Sequence, residues 1–165
     1  MHRFVVLVAF GVASVLTIKE ECFKLANPVT MSCCKAPPPR PSKDESIKEC
    51  FEKFGKTRKP TAETACELEL CIGKKQGYIA DDGTINKKAL EADVAEKFKQ
   101  SPDLVENITK HCINADVDEY GSEDFCELMK TSHCIHVQIA MACPEYDDRG
   151  HCSEIKSLAE KCSAE

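Results

Sequence analysis

Sulfur and imidazole are the reactive groups that stand out in this chain: 165 residues carry 12 cysteines and 5 histidines. Cysteine serves two chemistries, metal ligation as thiolate and cross-linking as disulfide. Zinc motifs pair cysteines as C-x-x-C and add a histidine at a fixed interval. No C-x-x-C pair occurs here, and no histidine stands at ligand spacing from paired cysteines. Neither a metal nor another cofactor is therefore expected. The first residues decide the compartment: His2 and Arg3 precede an apolar run from Phe4 to Leu16, with Gly11, Ala13, Ser14 and Thr17 as cleavage positions. That run has the length of a secretory leader and is short for a membrane span. An even number of thiols in a secreted chain implies disulfides. Six bridges at about 3 kcal/mol each give a rigid scaffold.

Other chemistries find little support. There is no G-x-S-x-G, no H-E-x-x-H and no glycine-rich phosphate loop, so no enzyme is expected. Secreted phospholipases carry vicinal cysteines beside a His-Asp dyad, but Cys33-Cys34 is followed by Lys35-Ala36-Pro37 and lacks both the base and the calcium-binding acid. Asp81-Asp82-Gly83-Thr84 has the look of a calcium loop. With Gly83 at the sixth position, however, positions one, three and twelve are Tyr78, Ala80 and Ala89, which offer no side-chain carboxylates. It reads as a turn between two helices. His111, His133, His136 and His151 are expected on helix surfaces or polar edges, with a pH switch as the alternative use. A net charge of −6 removes the electrostatic basis for nucleic-acid binding. No later segment is apolar enough to span a membrane.

The elements that must hold these groups are helical. Residues 122–144 contain no glycine or proline between Gly121 and Pro144, and they predict one long helix capped by Ser122, with Glu123 and Asp124 at its positive end. Cys134 and Cys143 lie nine residues apart, roughly 180° around such a helix. They must bond to different elements, which makes this helix a central post. Residues 42–54 predict a helix with Ile47, Cys50, Phe51 and Phe54 on one face. Residues 61–75 predict another, capped by Thr61, on which Cys66 and Cys71 diverge. Further helices are expected over 86–99, with Leu90, Val94 and Phe98 along one side, and over 102–113, with Ser101 as cap and Pro102 in the first turn. A last one begins near 152, with Cys152, Ile155, Leu158, Ala159 and Cys162 on one face. Asn107-Ile108-Thr109 is a glycosylation sequon inside a helix. The vicinal Cys33 and Cys34 have Cα atoms about 3.8 Å apart, below the disulfide range, and should bond to two different partners. No strand alternation appears, so the class is all-α: a bundle of about six or more short helices cross-linked by about six disulfides. Helices locked covalently can hold an apolar cavity open.

The cysteine framework Cys50-x15-Cys66-x4-Cys71-x40-Cys112-x21-Cys134-x8-Cys143 resembles that of insect odorant-binding proteins. The stretch CELELCIGKKQGYIADDGTINKKAL is similar to that family's helix–turn–helix centre. Cys22, Cys33, Cys34, Cys126, Cys152 and Cys162, with Pro144 directly after Cys143, resemble the Plus-C subclass. The resemblance implies Cys50–Cys71, Cys66–Cys134 and Cys112–Cys143 bridges, with the other six cysteines joining the N-terminal arm and C-terminal tail to the core. Twelve cysteines allow about ten thousand pairings, so those extra bridges stay open. It implies four segments: a leader over 1–17, cut within 13–18; a disulfide-tethered arm over 18–41; an odorant-binding-like helical core over 42–144; and a helical extension with extra cysteines over 145–165.

The implied function is transport of small apolar ligands, odorants or pheromones, through aqueous lymph to receptors. The partners would be the ligand, an olfactory receptor or another binding protein, and the chain would be a monomer or homodimer. Phe54, Tyr78, Leu90, Val94, Phe98, Met129 and Ile139 are the candidate ligand contacts, each also an ordinary core residue. Tyr78 adds a hydroxyl that could orient a polar group. Release on acidification follows if histidines or carboxylates brace the pocket mouth. The competing function is a disulfide-stapled protein-interaction module or inhibitor without a ligand cavity.

Overall fold

The computed structural model describes residues 21–36, 45–55, 61–80 and 82–163. The expected leader and the first residues of the helix expected over 42–54 lie outside them. Six α-helices are described: α1 (Lys48–Phe54), α2 (Ala62–Lys75), α3 (Lys87–Lys97), α4 (Pro102–Ile108), α5 (Glu127–Met141) and α6 (His151–Ser163). Short 3-10 segments at Phe23–Ala26, Pro28–Cys33, Glu45–Ile47 and Asp118–Tyr120 link them, and a π turn over Thr109–Ile113 extends α4. Among the described residues there is no β-strand, only the isolated bridge pairs Cys34 with Tyr146 and Ile79 with Ile85. The fold is all-α.

Local sequence sets the helix ends. Thr61 Oγ1 accepts from the Thr64 N–H at 3.2 Å and starts α2. Lys74 and Lys75 suit the negative end of its dipole. Asn86 caps α3 through the Ala89 N–H at 3.2 Å. Pro102 opens α4, where its missing N–H costs nothing. Between α2 and α3 the chain reverses at Asp82-Gly83. Asp82 Oδ1 accepts from the Thr84 N–H at 2.9 Å, and Gly83 takes φ +87°, a left-handed conformation that glycine adopts readily.

The central helix does not begin at Ser122. Residues 122–125 form turns, and Cys126, with extended backbone at φ −67° and ψ 155°, is the N-cap of α5. The helix also ends at Met141, short of Cys143. These two shifts overturn two of the bridges implied by the resemblance. Cys66 bonds to Cys126 and not to Cys134, because the cap residue swings out to meet α2, and its N–H points at Cys66 Sγ at 2.8 Å. Cys134 lies eight residues further on, about 12 Å along the axis, and bonds to Cys112 in the π turn. Cys143, released from the helix, bonds to Cys34 and not to Cys112. There the arm runs antiparallel to residues 145–147: the Lys35 N–H donates to Glu145 O at 2.9 Å and the Asp147 N–H to Cys33 O at 2.7 Å. Cys50 bonds to Cys71, Cys33 to Cys152 and Cys22 to Cys162. The vicinal cysteines therefore serve two partners, and no cysteine is free.

α5 separates two apolar clusters. One gathers Tyr78, Leu90, Val94, Phe98, Leu104 and Ile108 with Cys134 and Ile139. The other holds Leu25, Ala26, Val137, Ala140 and Ala159, so that the arm and α6 pack on the far side of the post. Because both sides are covered, α5 buries residues around its whole circumference, Lys130 and Gln138 included. Lys130 reaches Asp118 at 2.8 Å, which keeps its charge paired. α1 is rotated from the expected face: Cys50 is buried, whereas Phe51 is 48% exposed. Its short length, seven residues, and its bridge to Cys71 fix it by one edge only.

Candidate functional site

α2, α3 and one face of α5 enclose a cavity of about 280 Å³ that opens to solvent on one side. Its apolar lining comes from each element at helical spacing. Leu90, Val94 and Phe98 of α3 form one wall. Leu128, Thr131, Ser132, Ile135 and Ile139 of α5 form the opposite wall, at i, i+3, i+4, i+7 and i+11. Ile72 and Gly73 of α2 and Ile47 close it. Gly73 permits a close approach of α2 to its neighbours: a Cβ there would stand 2.6 Å from Leu128 Cδ2 and 2.9 Å from Ile79 Cγ1.

Polar groups share the lining, among them Glu69, Asp93, Lys97, Thr131, Ser132 and His136. The Lys97 ammonium donates to the Tyr78 hydroxyl at 2.9 Å and lies 5.6 Å from that ring's centroid. It also pairs with Asp93 one turn earlier at 2.6 Å. Glu69 lines the cavity in a desolvated position, and burial holds its carboxyl above the usual carboxylate range. His136 is pushed the other way: burial lowers its pKa, and the neighbouring His133 lowers it further. Its Nδ1 is buried without a partner among the described residues. His133 Nδ1 lies 3.0 Å from the Tyr120 carbonyl oxygen, with the rings of Phe23 and Phe125 set edgewise at 5.2 and 5.6 Å. These two histidines are half-buried.

Five of the seven sequence candidates meet at this cavity: Tyr78, Leu90, Val94, Phe98 and Ile139. Phe54 does not, because α1 ends at that residue and its ring sits 4.9 Å from the Lys53 ammonium. Met129 lies beside the Cys66–Cys126 bridge, 4.0 Å from Cys66 Sγ, on the edge of α5 turned to α2. The sequence reading missed Ile72, Leu128 and Ile135. The 128–131–135–139 spacing carried that signal, masked by the apolar residues of the other face.

The arrangement can bury an apolar molecule and offer it hydroxyls, an ammonium, an imidazole and carboxylates. A second chemical cluster lies elsewhere. His151 Nε2 stands 3.5 Å from Cys33 Sγ and 3.7 Å from Cys152 Sγ, but the two sulfurs are bonded to each other and are not thiolates open to a metal. No helix among the described residues is long and apolar enough to cross a membrane.

No protein-family model and no solved structure matches the chain. Among curated proteins it is similar to general odorant-binding protein 68 of Anopheles gambiae, with 26% identity over 148 residues, covering 79% of this chain and 68% of that protein. The chain is thus a distant homologue of an insect general odorant-binding protein.

Proposed function

We propose that this protein is a secreted, non-enzymatic carrier of small hydrophobic ligands, of the odorant or pheromone class, which it holds in the cavity between α2, α3 and α5. The observation that carries the reading is the apolar enclosure itself. Leu90, Val94, Phe98, Leu128, Ile135 and Ile139 present hydrocarbon to one space. Burial of an apolar ligand there is driven by loss of its contact with water, while Tyr78 and Lys97 fix the orientation of a polar head. The homologue's name supports a carrier role at the level of the family. The six cysteines outside the framework and the Cys143-Pro144 junction support assignment to the Plus-C subclass. Residues 1–17 serve as the secretory leader in this reading, and the ligand is delivered through aqueous lymph to a receptor.

The test is a fluorescence titration of the refolded, fully oxidised protein with N-phenyl-1-naphthylamine, followed by displacement with volatile alcohols, esters and fatty acids. Saturable micromolar binding, displaced by some ligands and not others, is expected. Val94→Trp, which fills the cavity from α3, should weaken the probe at least tenfold. Absence of binding with all six bridges confirmed by mass would reject the carrier and favour a protein-interaction module.

A further inference from the structure

The C-terminal part of α5 also walls a second cavity, of about 520 Å³, with a different set of residues. Val137, Gln138 and Met141 of α5 line it, Tyr120 flanks them, and the Cys22–Cys162 bridge closes one end. The two cavities take different residues from α5: Val137, Gln138 and Met141 line this one, and none of them lines the first.

Gln138 is the distinguishing residue. It is only 8% exposed, yet its side-chain amide has no hydrogen-bond partner among the described residues. Its atoms are not sealed in protein as His136 Nδ1 is; they remain open to the cavity. A primary amide presents donors and an acceptor on one plane, so its complement is a group that both accepts and donates. A carboxamide or an alcohol does so. A carboxylate offers no donor to the amide oxygen, and an ammonium would leave the Gln138 N–H groups unmatched. Val137 and Met141 provide the apolar surface for a short hydrocarbon tail.

We propose that the cavity between α5, Tyr120 and the Cys22–Cys162 bridge is a second ligand site, selective for small neutral amphiphiles with a carboxamide or hydroxyl head held by Gln138. It is occupied independently of the first cavity, because the residues that α5 presents to the two are different.

Hexanamide is the probe, titrated into the ¹⁵N-labelled, refolded and oxidised chain made in bacteria, which carries no glycan on Asn107 at the cavity rim. The Gln138 side-chain amide and the backbone amides of residues 137–142 should shift saturably. The affinity for N-phenyl-1-naphthylamine should stay within twofold at saturating hexanamide. Gln138→Leu should weaken hexanamide at least tenfold and leave the naphthylamine unchanged. Ala142→Trp, at an exposed rim position, should also weaken hexanamide tenfold without altering the amide, so a folding defect in the first variant does not end the test. Hexanoate at neutral pH should bind at least tenfold more weakly than hexanamide. Competition between hexanamide and the naphthylamine, wild-type hexanamide affinity in both variants, equal binding of hexanoate, or no saturable shift would each overturn the proposal. Failure of the naphthylamine alone to bind would reject the carrier reading of the first cavity and leave the hexanamide result standing on its own.

Discussion

The Lys97 ammonium donates to the Tyr78 hydroxyl at 2.9 Å, across the junction of α3 with the turn that follows α2. The contact sets the one tyrosine that lines the first cavity among the described residues against a cation already paired with Asp93. The contact fixes the orientation of the Tyr78 hydroxyl at the cavity lining. Tyr78→Phe is expected to weaken alcohols about three- to tenfold, consistent with loss of one hydrogen bond of about 1 kcal/mol. Binding of N-phenyl-1-naphthylamine should change less than twofold. Competition assays with matched alcohol and hydrocarbon ligands check this.

Glu69 gives a pH signature. Its folded carboxyl titrates above the ordinary value of 4.5 because burial penalises the charge. The native state therefore binds its proton more readily than the unfolded chain, and this group's unfavourable contribution grows as pH rises through and above 4.5. Glu69→Gln should stabilise the protein at pH 7.5 and have no such effect at pH 3.5. Urea titrations at the two pH values decide it.

His136 acts with the opposite slope. Its folded pKa is lowered by burial and by His133, so below about pH 6.5 the unfolded chain takes up a proton that the native state resists. Stability is lost as pH falls through that window, until the folded imidazole itself protonates. His136→Phe should flatten the decline between pH 7 and 5, as read by thermal unfolding at stepped pH.

Gly73 sets the spacing at the cavity floor. A branched side chain there meets both Leu128 and Ile79 within contact distance. Gly73→Val is expected to destabilise by about 1–3 kcal/mol through overpacking and to weaken the naphthylamine probe as its methyls enter the cavity. Denaturant midpoints and probe titration give the two readouts.

The disulfide map yields a direct chemical prediction. Non-reducing proteolysis and mass analysis should recover Cys66 linked to Cys126 and Cys34 linked to Cys143. Replacing Cys22 and Cys162 together by serine should destabilise by about 2–5 kcal/mol. Hydrogen exchange should rise first in α6 and in residues 23–26, because that bridge holds α6 against the arm.

How far the sequence reads ahead differs by element. α2 and α3 are legible because Thr61 and Asn86 are caps, and because Leu90, Val94 and Phe98 repeat on one side. These are local signals, and three of the cavity residues follow from them. α5 is legible as a post but not in its ends: Ser122 to Phe125 read as a helical turn, and only tertiary contact with Cys66 turns Cys126 into the cap. That shift propagates into the wrong partners for Cys66 and Cys112, since a bridge depends on where both ends lie in space. The α5 wall of the cavity was only partly visible for a related reason. A helix buried on both faces shows no single apolar stripe, and Leu128 and Ile135 do not stand apart from Val137 and Ala140. Phe54 and Met129 carry the right side chains but sit at a helix end and beside a bridge.

The Cys22–Cys162 bridge joins the two extremities of the described chain, with Cα atoms 5.9 Å apart, and every peptide bond between those residues lies inside the closed ring it makes. A single proteolytic nick anywhere in that ring, in a linker or in the 82–86 turn, opens the ring but releases no fragment. Where proteases are abundant, fragmentation within the ring would require either two cuts or prior reduction.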